Sequence, residues 1–205
     1  MTLTPLHVAF VWILKPRLGK LSFAALTVGA VVPDLEPLLA WMLGWSVFCG
    51  WDFPCTLAPD RLILHSVMGA LTADVALTAI LVKVIQLLKP ERIGIRGFAC
   101  ARVNSYFLLS AATGSLSHVF VDWLHHPANP VFWPFLIGGS YYVDGLLLSF
   151  LGVLPASLIV AAISGATMFY VIRKALVESG EKFALVFTNP AKALSLVTER
   201  LSKNG

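Results

Sequence analysis

Charge is what this chain has least of. Only 13% of its 205 residues are Asp, Glu, Lys or Arg, about half the share of an ordinary soluble domain. Three cysteines are too few for a disulfide scaffold. There is no internal repeat and no low-complexity linker, and the inverted repeats and paired broken helices of many transporters are absent too. Apolar residues fill the gap: 58% are hydrophobic and the mean hydropathy is +0.81. This composition excludes a cytosolic globule. It leaves room for one all-α, polytopic membrane helix bundle of roughly four or five spans, and not for a second folded domain.

Four stretches, residues 21–44, 62–88, 105–124 and 145–172, are long enough to cross an apolar core about 30 Å thick. A shorter run over residues 5–14 is marginal as a span and reads as a short N-terminal helix. No Lys or Arg precedes it and no small-residue cleavage site follows, which argues against a cleaved signal peptide. The net charge of +4 does not make a nucleic-acid groove, because the basic residues form short clusters between apolar runs. Lys15, Arg17 and Lys20 form one cluster. Lys83, Lys89, Arg92, Arg96 and Arg102 form another, and a third runs from Arg173 to Lys203. Threading four spans puts all three on one face and leaves Arg61 opposite, so the shared face is expected in the cytoplasm, with the C-terminus. Residues 1–173 then form the membrane domain. Residues 174–205 form a cytoplasmic amphipathic tail, broken at Asn189-Pro190.

The opposite face receives residues 45–60 and 125–144. These carry Trp45, Trp51, Trp133, Tyr141 and Tyr142, side chains suited to a membrane–water interface. Cys49 and Cys55 fall in the first of these loops, where a disulfide is chemically feasible; three unpaired small apolar residues is the alternative. Cys100, in a cytoplasmic loop, is expected to stay reduced.

Ionisable side chains inside apolar spans are costly and mark candidate sites. His7 lies near the start of the first short segment. Asp34 lies about fourteen residues into its span, roughly 20 Å deep at 1.5 Å per residue. His65 is near the outer start of the next span, and His118 and Asp122 occupy the last turns of the one after, with His125 and His126 just beyond. With the N-terminus outside, all five histidines gather at one depth. His118 and Asp122, four apart, share a helix face. Together with Asp34, His65 and His7 they suit a divalent cation, Zn²⁺ first, with Mn²⁺ or Fe²⁺ as alternatives. A hydrogen-bonded polar clamp between helices is the competing reading. Asp74 points to the opposite face of its helix from His65 and is expected to be a structural hydrogen-bond partner. Pro33 and Pro37 flank Asp34-Leu35-Glu36 and are expected to break the helix there and free backbone carbonyls. Asp144 is expected to cap a helix starting near Gly145.

Gly114-Ser115-Leu116-Ser117-His118-Val119-Phe120-Val121-Asp122, followed by Pro127 and Pro130-Val131-Phe132-Trp133-Pro134, resembles the third motif of the membrane-bound metal-dependent hydrolases, the family of the LexA-regulated inner-membrane hydrolase. Val32-Pro33-Asp34-Leu35-Glu36 resembles that family's Leu-Pro-Asp-x-Asp, after an early His7. Asp60-Arg61-Leu62-Ile63-Leu64-His65-Ser66 resembles its His-Arg-Gly-x-Thr-His-Ser. Glu36 stands where the family has Asp, Pro37 where a His often follows, Asp60 in place of the first His of the second block, and Leu62 in place of its Gly. These exchanges shift the donor set towards oxygen. The family is itself similar to the zinc-dependent phospholipases C, so the resemblance implies phosphoester chemistry.

The expected function is therefore an integral membrane hydrolase of the plasma or inner membrane. His7, Asp34, His65, His118 and Asp122 would hold one or two divalent ions that acidify a water. Glu36 or Asp60 would take the proton, and Arg61 would hold a phosphate oxygen. A site at that depth suits a lipid or lipid-linked phosphoester. The rival is a non-catalytic membrane subunit with a structural metal site or polar clamp. A transporter ranks behind both, since Asp74 alone makes no polar path.

Overall fold

The computed structural model describes residues 5–42, 61, 63–90, 95–138, 140 and 142–203. Trp45, Cys49, Trp51, Cys55, Asp60 and Tyr141 lie outside the described residues. The described residues are helical, with two isolated antiparallel bridges and no strand among them. The helices are α1 (Pro5–Leu14), α2 (Phe23–Gly29), α3 (Leu35–Met42), α4 (Val67–Leu71), α5 (Ala73–Leu87), α6 (Ser105–His125), α7 (Leu148–Leu151), α8 (Val153–Glu178), α9 (Leu185–Thr188) and α10 (Pro190–Lys203).

Side chains set several of the starts. Ser22, Ser66 and Asn104 each accept a backbone N–H of the first turn of α2, α4 and α6, satisfying one of the donors that a helix start leaves open. Asn189 does the same for α10, accepting from Lys192 N at 3.0 Å. The Asn-Pro pair is thus a helix start.

Three helical stretches are long and apolar enough to cross a membrane: Phe23–Ala40, Ser105–His125 and Val153–Glu178. The first joins α2 to α3 through a 3₁₀ turn at Val32–Asp34. The last starts later than the sequence suggests. Residues 145–152 form a loop and the short α7, and Gly152 at φ +77° precedes the long helix. Residues 62–88 are not one helix, because the chain breaks at Thr72 (φ −126°, ψ −81°). The 15-residue α5 is about 22 Å long. Before the break, residues 63–66 fold back over α4, with Ser66 Oγ donating to Ile63 O at 2.6 Å. A Cβ at Gly69 would collide with that carbonyl.

Successive segments run in alternating directions. One end of the bundle collects His7, His65, His118 and His125, all buried. The other holds Lys15, Lys20, Arg102 and Lys174. Lys15 is itself buried there, donating to Gly19 O at 3.0 Å, and burial lowers its ammonium below the ordinary lysine range. The main apolar core joins Phe23, Leu26, Phe107, Ala111 and Leu176 to Val197 and Leu201 of α10. The residues read as a surface tail thus supply part of this core: α8 carries the chain past residue 173 without interruption, and α10 folds back against its end.

Helices α2 and α6 touch backbone to backbone. A Cβ on Gly29 would sit 2.5 Å from Ala111 O, and one on Gly114 would sit 2.9 Å from Ala30 N. Small residues permit this approach in membrane bundles. Gly165 in α8 meets nothing within 4 Å. Replacing Gly114 by Val is therefore expected to cost about 1–3 kcal/mol through overpacking, read as a lower melting temperature in detergent, whereas Gly165→Ala should not lower it.

Candidate metal centre

At the histidine-rich end one carboxylate sits inside a ring of nitrogen groups. Asp122 is 1% exposed. Its Oδ1 lies 3.4 Å from His7 Nε2 and 3.7 Å from His126 Nε2. Its Oδ2 lies 3.6 Å from both His65 Nε2 and His118 Nε2, and 3.0 Å from Arg61 Nη1. The Arg61 contact is an ion pair without hydrogen-bond alignment, and neither Asp122 oxygen has a hydrogen-bond partner. Asp34 Oδ1 reaches His118 Nε2 at 3.7 Å from the 3₁₀ turn. The rings are packed: His7 stacks on His118 at 4.0 Å, and His65 meets His118 edge-on at 5.4 Å.

Two of the ligand candidates, His118 and His65, are each oriented by a neighbour. The helix start at Pro33 makes Asp34 N bond to Val31 O at 3.1 Å rather than to Ala30 O. The freed Ala30 carbonyl lies 2.8 Å from His118 Nδ1. With Nδ1–H donating there, the Nε2 lone pair faces Asp122 and Asp34. Glu36 performs the matching task for His65: its Oε2 is 3.2 Å from His65 Nδ1, and its oxygens accept Ile63 N at 2.8 Å and Leu64 N at 3.2 Å. A ligating imidazole held through its other nitrogen by a carbonyl or carboxylate is the usual arrangement at metal sites. One turn before His118, Ser115 donates its hydroxyl to buried Asp74, tying α6 to α5. Asp74 is thus a hydrogen-bond partner through one oxygen, the other being buried without one, although it shares no helix with His65, since the chain breaks at Thr72.

Bonds of about 2.0–2.2 Å to a tetrahedral zinc place ligand atoms about 3.3–3.6 Å apart. The separations around Asp122 match that spacing better than the 2.7–3.2 Å of hydrogen bonds. Three trios have ligand atoms within 4.8 Å of one another: His7, His118 and Asp122; Asp34, His65 and His118; Asp122, His125 and His126. The Nε2 atoms of His65, His118 and His126, and Oδ2 of Asp34, are buried without a hydrogen-bond partner. The donor set fits one or more divalent ions.

The structure brings together His7, Asp34, His65, His118, Asp122 and Arg61. Glu36 is beside them, but its oxygens hold the 63–65 backbone and His65, a positioning task rather than an open base. Asp60 lies outside the described residues. Sequence reasoning missed His126 as a donor, although its signal was present: it follows Asp122 by four, and His126 N continues the helix to Asp122 O at 2.8 Å. Burial, then the Arg61 charge, pulls His126 down to about 2, so this imidazole is neutral. Asp144 caps no helix; it accepts Ala128 N at 3.2 Å across the following loop, because residues 145–147 are not helical.

No curated protein and no solved structure matches the chain. Residues 1–137 match the family described as "Domain of unknown function (DUF4184)", a stretch that includes His7, Asp34, Glu36, Arg61, His65, His118, Asp122 and His126. The protein belongs to the DUF4184 family.

Proposed function

We propose that the protein is a multi-pass integral membrane hydrolase, metal-dependent and acting on the phosphoester of a lipid or lipid-linked substrate at the outer face of the plasma or inner membrane. The observation that carries this is the inward set of ligand atoms without a hydrogen bond, Nε2 of His65 and His118 with both oxygens of Asp122, whose Oδ2 is ion-paired to Arg61, at the spacing of a coordination sphere. His7, Asp34, His65, His118 and Asp122 would hold the ion, Zn²⁺ first and Mn²⁺ second by their mixed nitrogen and oxygen character. His126 would join Asp122 at a second position. An ion there supplies Lewis acidity, acidifying water and neutralising phosphoryl charge.

The chain's own residues do the rest. Ala30 O and Glu36 fix the two imidazoles. Arg61, whose side chain is 12% exposed and pairs with Asp122, would supply the positive charge for a phosphate oxygen. Asp60, adjacent to Arg61 in the chain, is the remaining candidate to take a proton from water there. The basic clusters at the opposite end support a cytoplasmic position for that end and for the C-terminus.

The Arg61–Asp122 pair favours one second reading. Arg61 already neutralises the carboxylate, so the same residues suit a polar clamp in a non-catalytic subunit.

Metal analysis of detergent-purified protein separates the two. Near-stoichiometric zinc or manganese, lost in His118→Ala/Asp122→Ala, is the expected result. No metal in either protein, with both folded, would leave the clamp. Glu36→Gln tests the positioning role: metal affinity should fall about 10–100-fold with helix content unchanged, and unaltered affinity would exclude it.

A further inference from the structure

Residues 127–143 contain no Asp, Glu, Lys or Arg. Within them Phe132, Phe135, Leu136 and Ile137 are 42%, 64%, 59% and 50% exposed. Such a run facing water is unfavourable and marks an interaction surface.

Part of its backbone is satisfied internally, while the amides of Val131, Phe132 and Leu136 have no such bond, so the loop suits the interfacial edge of a bilayer, where water reaches them, rather than its hydrocarbon centre. Here Trp133 N bonds to Pro130 O at 3.0 Å, and Phe135 N to Phe132 O at 2.9 Å. Ile137 and Ser140 exchange bonds of 2.8 and 3.2 Å, with Gly138 at φ +60° in the turn between them. The neck is closed by the reciprocal Asn129–Val143 pair at 2.9 and 2.8 Å and by Ala128 N on Asp144.

The loop is also fixed to the wall of the metal centre. Val67 N donates to Val131 O at 2.9 Å, Asn129 Nδ2 donates to His126 O at 2.5 Å, and Tyr142 OH donates to Arg61 O at 3.4 Å. Further along the chain, Phe150, Val153 and Leu154, which lead into the membrane-length helix α8, are 79%, 54% and 69% exposed.

We propose that residues 131–137 dip into the outer leaflet as a fixed apolar ramp beside the metal centre, in contact with phospholipid acyl chains. The ramp selects an amphiphile, a phosphoester on a hydrocarbon anchor, that reaches the centre sideways from the bilayer. The sideways route rests on the hydrolytic reading of the centre; the placement of the loop does not.

The test uses the full chain reconstituted in phosphatidylcholine–phosphatidylglycerol nanodiscs, with a benzophenone analogue of phenylalanine at position 135. The same group at Ile163, exposed midway along α8, and at exposed Lys192 gives lipid and solvent references. After illumination, intact-protein mass spectrometry should show addition of one phospholipid at 135 with a yield comparable to 163, and almost none at 192. A yield matching 192 would overturn the proposal in favour of a solvent-facing loop. Cross-links to a second copy of the chain would overturn it in favour of a self-association surface. Metal content of the same preparation separates the two ideas: lipid adducts without bound metal would remove the hydrolytic reading and the substrate route, and leave the loop in the leaflet.

Discussion

The arrangement of this bundle depends on one buried carboxylate. Ionised and stripped of water, Asp122 carries a desolvation penalty of several kcal/mol unless neighbours compensate it. Compensation comes from the Arg61 guanidinium ahead of α4, while His7 on α1, His65 ahead of α4, and His118 and His126 along α6 and its end surround the same carboxylate. None of these segments is adjacent in sequence to all the others. The start of α1, the end of α6 and the residues ahead of α4 thus meet around one carboxylate in addition to their apolar packing, which in lipid distinguishes helix from helix only weakly.

The local backbone makes this convergence geometrically exact enough to orient imidazoles. Pro33 turns the end of α2 into a 3₁₀ turn and releases the Ala30 carbonyl. Gly29 and Gly114 let α6 come close enough for His118 to take it. The same turn presents Asp34 to His118 and starts α3 so that Glu36 reaches the 63–65 backbone. One proline and two glycines thus link helix packing to the direction of two ring nitrogens.

Much of this was legible in the sequence for identifiable physical reasons. Hydropathy and length mark the stretches around α2–α3, α6 and α8, and the i,i+4 spacing puts His118 and Asp122 on one face. Depth arithmetic gathers the histidines, because helix rise is fixed. What was not legible depends on tertiary context. The break at Thr72 follows from the fold-back of residues 63–66, which no periodicity encodes. Glu36 looks like a base until the backbone amides that occupy it are placed. Asp144 looks like a helix cap, but the chain after it does not enter a helix until Leu148, so it closes a loop. His126 was visible as another i,i+4 step and fell just past the expected helix end.

The remaining question is what the cluster is for, and unsatisfied atoms weigh on it. A clamp shaped only by stability gains from closing its hydrogen bonds, since each buried unpaired polar group costs about 1–3 kcal/mol. This cluster leaves its donors apart: three imidazole Nε2 atoms face a carboxylate at 3.6–3.7 Å, too far for hydrogen bonds, with His7 Nε2 nearer at 3.4 Å. Meanwhile their Nδ1 partners on His65 and His118 are engaged at 3.2 and 2.8 Å. Orientation is thus secured on the outer side of each of those rings and withheld on the inner side. That asymmetry is what the metal reading proposed above rests on, at the end of the bundle that also carries the uncharged loop.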